Sequence, residues 1–207
     1  MPDPSGRLDD AASVHETGAG SGDPLTAPFQ AFTEDTRIVG RVRVEGRLSD
    51  ALNRRTPIPV FAVRTGPIAG GVLGDAPDVH ELDPYELVVV AAGADSQPPA
   101  TAERRAALRA RRTQYDVCCV LDDGQVCGTV HIYPGTEPAE LAGYRPELFV
   151  PVTGADVRVR GASPDDAALD VAFVNHVYLR SVVPLGEAAE PGPVAEGAGT
   201  DEGAWDS

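Results

Sequence analysis

The sequence predicts a mainly β chain, a β-rich α+β fold in which two related small β modules pack as one pseudo-symmetric body. Three features lead there. Short apolar runs with a period of two recur through the middle of the chain, and glycine and proline punctuate them, at 22 Gly and 19 Pro in 207 residues. The order of elements before residue 95 also returns after residue 114. Hydrophobic residues form 42% of the chain and charged residues 24%, enough apolar material for a core of that size.

In the first module, residues 37–45 alternate Ile38, Val42 and Val44 with Arg37, Arg41 and Arg43, the pattern of a half-exposed strand. Residues 48–55 read as a short helix. Ser49 can accept from the free amides of its first turn, Asp50 sits at the positive end, Leu48 and Leu52 point inward, and Pro57 ends it. Residues 58–64 form a strand and 66–74 a glycine-rich turn or hairpin. Residues 86–92 form a continuous apolar strand covered on both faces.

Residues 101–113 carry no Gly or Pro and begin with Thr101 as a cap and Glu103 in the first turn, which predicts a linking helix. In the second module, residues 115–121 and 126–133 make a hairpin across Asp122, Asp123, Gly124 and Gln125. Residues 136–142 form a short helix with Pro138 near its start and Gly143 at its end. Strands follow over 148–153 and 156–160. Residues 169–182 place Leu169, Val171, Phe173, Val177 and Leu179 on one face, with Asn175 interrupting it, where it either caps a bulge, the commoner case, or faces a pocket.

The halves align residue by residue. Gly40, Val42 and Val44 match Gly128, Val130 and Ile132 at an offset of 88, and Leu52, Pro57 and Val63 match Leu141, Pro146 and Val152 at 89. A single half of that length is a marginal core, so the two pack together. The segment Arg47, Leu48, Ser49, Asp50, Ala51, Leu52, Asn53, between two strands, resembles a small bacterial domain family of unknown function marked by strand, R-L-S-D-x-L-N, strand. The resemblance covers residues 37–65. The second half shows Thr136, Glu137, Pro138, Ala139, Glu140, Leu141 in place of the motif. It implies kinship and carries no catalytic residues over.

The expected organisation is a disordered acidic tail over 1–35, a module over 36–95, a linker with an arginine-rich helix over 96–113, a module over 114–184, and a second disordered acidic tail over 185–207. The net charge of −15 gathers in the tails: residues 1–36 hold seven acids and one Arg, and residues 184–207 hold six acids and no base. A near-neutral body between acidic ends has no general attraction for nucleic acid or anionic lipid. All 17 basic residues are arginine, read as the codon bias of a GC-rich bacterial genome. No apolar run reaches the length of a membrane span, and the first 22 residues lack a signal-peptide pattern, so a cytoplasmic location without a membrane partner is expected.

Candidate chemistry is sparse. With a two-residue turn at Asp123 and Gly124, Asp116 lies opposite His131, the one carboxylate–imidazole pair that could begin a hydrolytic site. Arg43 occupies the place of His131 in the first half, which favours a surface pair. The same turn makes Cys118 and Cys127 diagonal neighbours and turns Cys119 away. The three are read as small buried hydrophobes, and no metal site follows. His80, Glu81, Asp83 and Glu86 are the densest ligand-type cluster, read as a solvated turn. Residues 18–22 superficially match a phosphate loop but follow no strand and contain no Lys.

Arg104, Arg105, Arg109, Arg111 and Arg112 against Glu103 give the 101–113 segment its basic face, and Trp205, the sole tryptophan, stands in the acidic C-terminal stretch. Arg104, Arg105, Arg109, Arg112 and Trp205 are the candidate partner-binding residues. The expected function is a non-enzymatic protein-interaction or scaffold module of the bacterial cytoplasm, with no cofactor and an unidentified protein partner. The rivals are a nucleic-acid-associated factor using the arginine helix, disfavoured because the acidic tails compete for the same arginines, and a small hydrolase at Asp116 and His131.

Overall fold

The computed structural model describes residues 25–93, 112–143, 146–165 and 169–187. Its strands are β1 (Leu25–Phe32), β2 (Thr36–Val44), β3 (Ile58–Pro67), β4 (Gly74–Asp75), β5 (Glu81–Leu82), β6 (Val89–Ala92), β7 (Thr113–Leu121), β8 (Gly124–Ile132), β9 (Phe149–Val159), β10 (Val171–Asn175) and β11 (Leu179–Glu187). They form one antiparallel sheet in the order β11-β7-β8-β9-β10-β6-β1-β2-β3-β4, with β5 also on β3. The α-helix α1 (Leu48–Asn53) and 3-10 turns at Pro84–Glu86, Pro138–Ala142 and His176–Tyr178 complete the described elements. The mainly β class holds, with the halves joined through β6 and β10.

Side chains alternate across a strand, so the central strands feed two cores at once. Val90, Ala92, Val171 and Phe173 join Phe29, Val42, Leu48, Leu52 and Val60 in one core. Val89, Ala172 and Val174 point the other way, to Val117, Val126, Leu141, Val152 and Val182. This explains the unbroken apolar run in β6, whose four residues are all buried.

The registers of the two halves correspond. The β1–β2 pairs Leu25↔Val44 to Phe32↔Arg37 return as the β7–β8 pairs Thr113↔Ile132 to Val120↔Gln125, every residue 88 further on. From β3 onward the offset becomes 92. Ile38↔Thr65 answers to Val126↔Val157, Ile58↔Leu82 to Val150↔Val174, and Gln30↔Ala91 to Cys118↔Val183. The irregularities correspond too. The ladders shift register at Gly40 and at Gly128, where an added Cβ would meet the carbonyl oxygens of Phe61 and Thr153 at 3.2 and 2.7 Å. Opposite each, the extra residue is left-handed, Ala62 at φ 52° and Gly154 at φ 59°. Asp83 and Asn175 cap the 3-10 turns that follow, accepting from Tyr85 N–H at 2.9 Å and Val177 N–H at 3.0 Å.

Several expectations are corrected. Residues 25–32, placed in the N-terminal tail, form a central strand with Ala27, Ala31 and Phe32 fully buried, and β11 extends to Glu187, past the expected start of the C-terminal tail. Pro28 obscured β1, because proline argues against an inner strand. Pairing with β6 starts only at Phe29, so the missing N–H lies beyond that ladder. α1 stops at Asn53 and begins at Arg47 without a side-chain cap, so Ser49 does not serve as one. The strands over 148–153 and 156–160 are one bulged strand, and the strand over 169–182 breaks at Asn175. The strand over 86–92 opens with the turn Pro84–Glu86. The Val63–Val152 match fails, since β3 and β9 correspond at 92. The linking helix lies outside the described residues up to 111, and Thr113 opens β7.

The hairpin turn is Asp122–Asp123, with Leu121 paired to Gly124. Gly124 is there for close approach, because a Cβ would stand 2.3 Å from the Arg158 carbonyl oxygen. The change places Cys118 directly opposite Cys127, and the two form a disulfide, correcting their reading as buried hydrophobes. Cys119 alone fits that reading, its thiol pushed up to about 12 by burial.

Candidate binding grooves

Two hairpin turns and two capped 3-10 turns meet at one place. The backbone at residues 33–35 closes through Thr33 N–H to Thr36 C=O at 2.9 Å and Thr36 N–H to the Thr33 hydroxyl at 3.0 Å. The opposing turn, Asp122–Asp123, is tied to it by Arg160. The Arg160 guanidinium donates to Asp123 at 2.8 and 3.0 Å and to Asp35 at 3.1 Å, and these bonds raise its pKa. Arg180 grips Asp122, and that hydrogen bond, before any other influence, holds the Asp122 carboxyl below its ordinary value.

Between the turns lies a cavity of about 450 Å³. Its apolar wall is Val88, Leu121, Val159, Val177 and Tyr178. A second cavity of about 530 Å³ shares Thr33, Glu34 and Tyr178 with the first and adds Ile38, Val79, Leu82, Glu81, Asp83 and Glu86. Together they make a groove spanning both halves. Tyr178 divides it, anchored by its hydroxyl donating to the Tyr85 carbonyl at 3.3 Å. Burial, then the charge of Glu34, raises the Tyr178 pKa. On its lining, Val177 is 60% exposed. The His80–Glu86 cluster thus contributes Glu81, Asp83 and Glu86 to a groove wall. Among the described residues no three His, Cys, Asp or Glu side chains converge as metal donors.

A second groove, of about 320 Å³, holds the polar positions of the R-L-S-D-x-L-N segment: Arg47, Ser49, Asp50 and Asn53 face Arg112, His131, Tyr133 and Glu147. The leucines of the segment enter the core. Asn53 ties α1 to the second half, accepting from Phe149 N–H at 2.9 Å while its amide donates to the Ser49 carbonyl at 2.9 Å. Arg112 lies 4.8 Å above the Tyr133 ring and donates to the His131 carbonyl at 3.2 Å. The other expected partner-binding residues, Arg104, Arg105, Arg109 and Trp205, fall outside the described residues.

The register sets the expected pair two residues out of direct opposition. Asp116 stands opposite Thr129 and accepts from its hydroxyl at 2.7 Å, while His131 stands opposite Gln114 with Nε2 3.3 Å from the Thr153 hydroxyl. Asn175 was legible as an oddity and its role was not. Fully buried, it donates to the Leu87 carbonyl at 2.8 Å while capping the turn that presents Val177 and Tyr178.

Compared with protein-family models, curated proteins and solved structures, the chain matches none.

Proposed function

We propose that the chain is a non-enzymatic protein-interaction module, built from two copies of one β unit, that docks an extended segment of a protein partner in the groove around Tyr178. The observation that carries the reading is the exposed Val177 at the mouth of an apolar-walled groove. A side chain so placed leaves most of its apolar surface in water, and concave, largely apolar sites with a few convergent polar groups are where ligands bind. The correspondence of registers, bulges and turn caps supports the two-copy origin, because independent folding would have no reason to repeat a left-handed residue opposite the same glycine.

A cytoplasmic setting is an expectation from the sequence alone. The Cys118–Cys127 bond argues against it, since structural disulfides persist mainly in oxidising compartments. The redox state of that pair in cells lysed with a thiol-blocking reagent decides between them. The docking reading is tested by selecting binders to the full chain from a displayed peptide library and mapping them by amide shifts. Enriched peptides should move Val177 and Tyr178 and lose binding to Val177→Asp. Enrichment unaffected by that substitution would place the function elsewhere.

A further inference from the structure

The groove around Tyr178 has an uneven charge. Arg160 is paired with both Asp35 and Asp123, and Arg180 with Asp122. On the side of the first half, Glu34, Glu81 and Glu86 line the same groove, and among the described residues no arginine is paired with any of them. Asp83 adds a fourth carboxylate, already accepting a backbone bond as a cap. The carboxylates flank the apolar wall formed by Ile38, Val79, Leu82 and Tyr178 and continue into the wall at Val88 and Val177.

We infer that the segment docked in this groove is basic, an extended stretch alternating arginine or lysine with apolar residues. This rests on the docking reading above. The fit follows from spacing as well as charge. Along an extended chain successive side chains point to opposite sides, so apolar residues enter the wall at Val88 and Val177 while the cations beside them meet Glu34, Glu81 and Glu86. An acidic segment would bring like charges together in a half-enclosed site, which costs affinity and selects against it. The aromatic ring of Tyr178, which lines both cavities, offers cations a second contact.

Three capped hexapeptides, alternating leucine with arginine, serine or glutamate, are titrated into the isotopically labelled full chain. The arginine peptide should shift Glu34, Val88, Val177 and Tyr178 and bind about tenfold tighter than the serine peptide at low salt, the equivalent of about 1.4 kcal/mol. That advantage should shrink as salt shortens the screening length below about 10 Å. The double variant Glu34→Gln with Glu86→Gln should remove most of the advantage and leave serine-peptide binding unchanged, while Glu137→Gln with Glu140→Gln, remote from this groove, should change neither. Equal binding of all three peptides at Val177, indifferent to the glutamine variants, would overturn the basic class and leave docking standing. No shift at Val177 or Tyr178 with any peptide would overturn both. Displacement of the arginine peptide by spermidine at equal charge concentration would overturn the protein segment in favour of a small polycation.

Discussion

The two halves share a ladder and differ in what they hang on it. Glu34 in the first half corresponds in register to Asp122 in the second, and Val88 to Arg180. Asp122 is consequently neutralised by Arg180, and no described arginine is paired with Glu34. Tyr85 corresponds to Val177 and Glu86 to Tyr178, so one capped turn brings a carboxylate to the groove and the other an aromatic ring. Gln30 and Val39 occupy the places of Cys118 and Cys127. Gln30 is covered, accepting from Asp165 N–H at 3.1 Å beneath a segment also held by the Arg37–Asp165 ion pair, whereas the cysteine pair is only partly buried and is bonded. Glycines, bulges and turn caps thus coincide in the two halves at positions where the side-chain chemistry differs, and several of the differing residues line the groove.

The largest test of this correspondence is deletion of residues 1–35. If β1 is to the first half what β7 is to the second, losing it removes the central partner of both β2 and β6. The cost should be of the order of a domain's whole stability, about 5–15 kcal/mol, seen as loss of a cooperative melt. Retention of the full-length melting temperature would remove β1 from the fold. Next come Leu52→Ala and Leu141→Ala, on the corresponding α-helix and 3-10 turn. Both are buried, and each should lose about 2–5 kcal/mol in denaturant titration. A large loss at only one would show that the two turns do not do the same work.

A finer probe exchanges the left-handed residues. Gly154→Ala should cost about 1 kcal/mol and Ala62→Gly should gain less than about 1 kcal/mol, because both backbones sit where a Cβ is disfavoured. Same-sign effects would break the equivalence. The smallest effect is chemical. Cys119, buried with its thiol pushed up to about 12, should resist alkylation at pH 8 in the folded chain and react after unfolding. Its folded pKa is raised, so the neutral thiol persists through neutral and mildly alkaline pH. Stability then falls only as pH rises past the unfolded value, about 8.5, toward the folded one.

Much of the ladder was legible in the sequence. Gly40 and Gly128 stand at the same step, and alternation located β2, β7 and β8 within a residue or two. Small and buried residues hid the rest. Ala27 and Ala31 give β1 little hydrophobic signal. Gly124 looked like a turn glycine and serves close approach. Placing the turn one residue late shifted the register by two, which hid the disulfide and falsely opposed Asp116 to His131. The groove was legible only as the His80–Glu86 cluster, because its other wall comes from residues 121–123 and 177–180, which sequence spacing cannot bring beside it.

The claim that the two halves carry one register is tested most directly by cross-strand nuclear Overhauser contacts in the full chain. Side-chain contacts are expected between Ile38 and Thr65 and between Val126 and Val157. Contacts are also expected between Ile58 and Leu82 and between Val150 and Val174, each member of a pair displaced by 88 or 92 from its counterpart. A register slipped by one or two residues in either half, with the other intact, would contradict that claim.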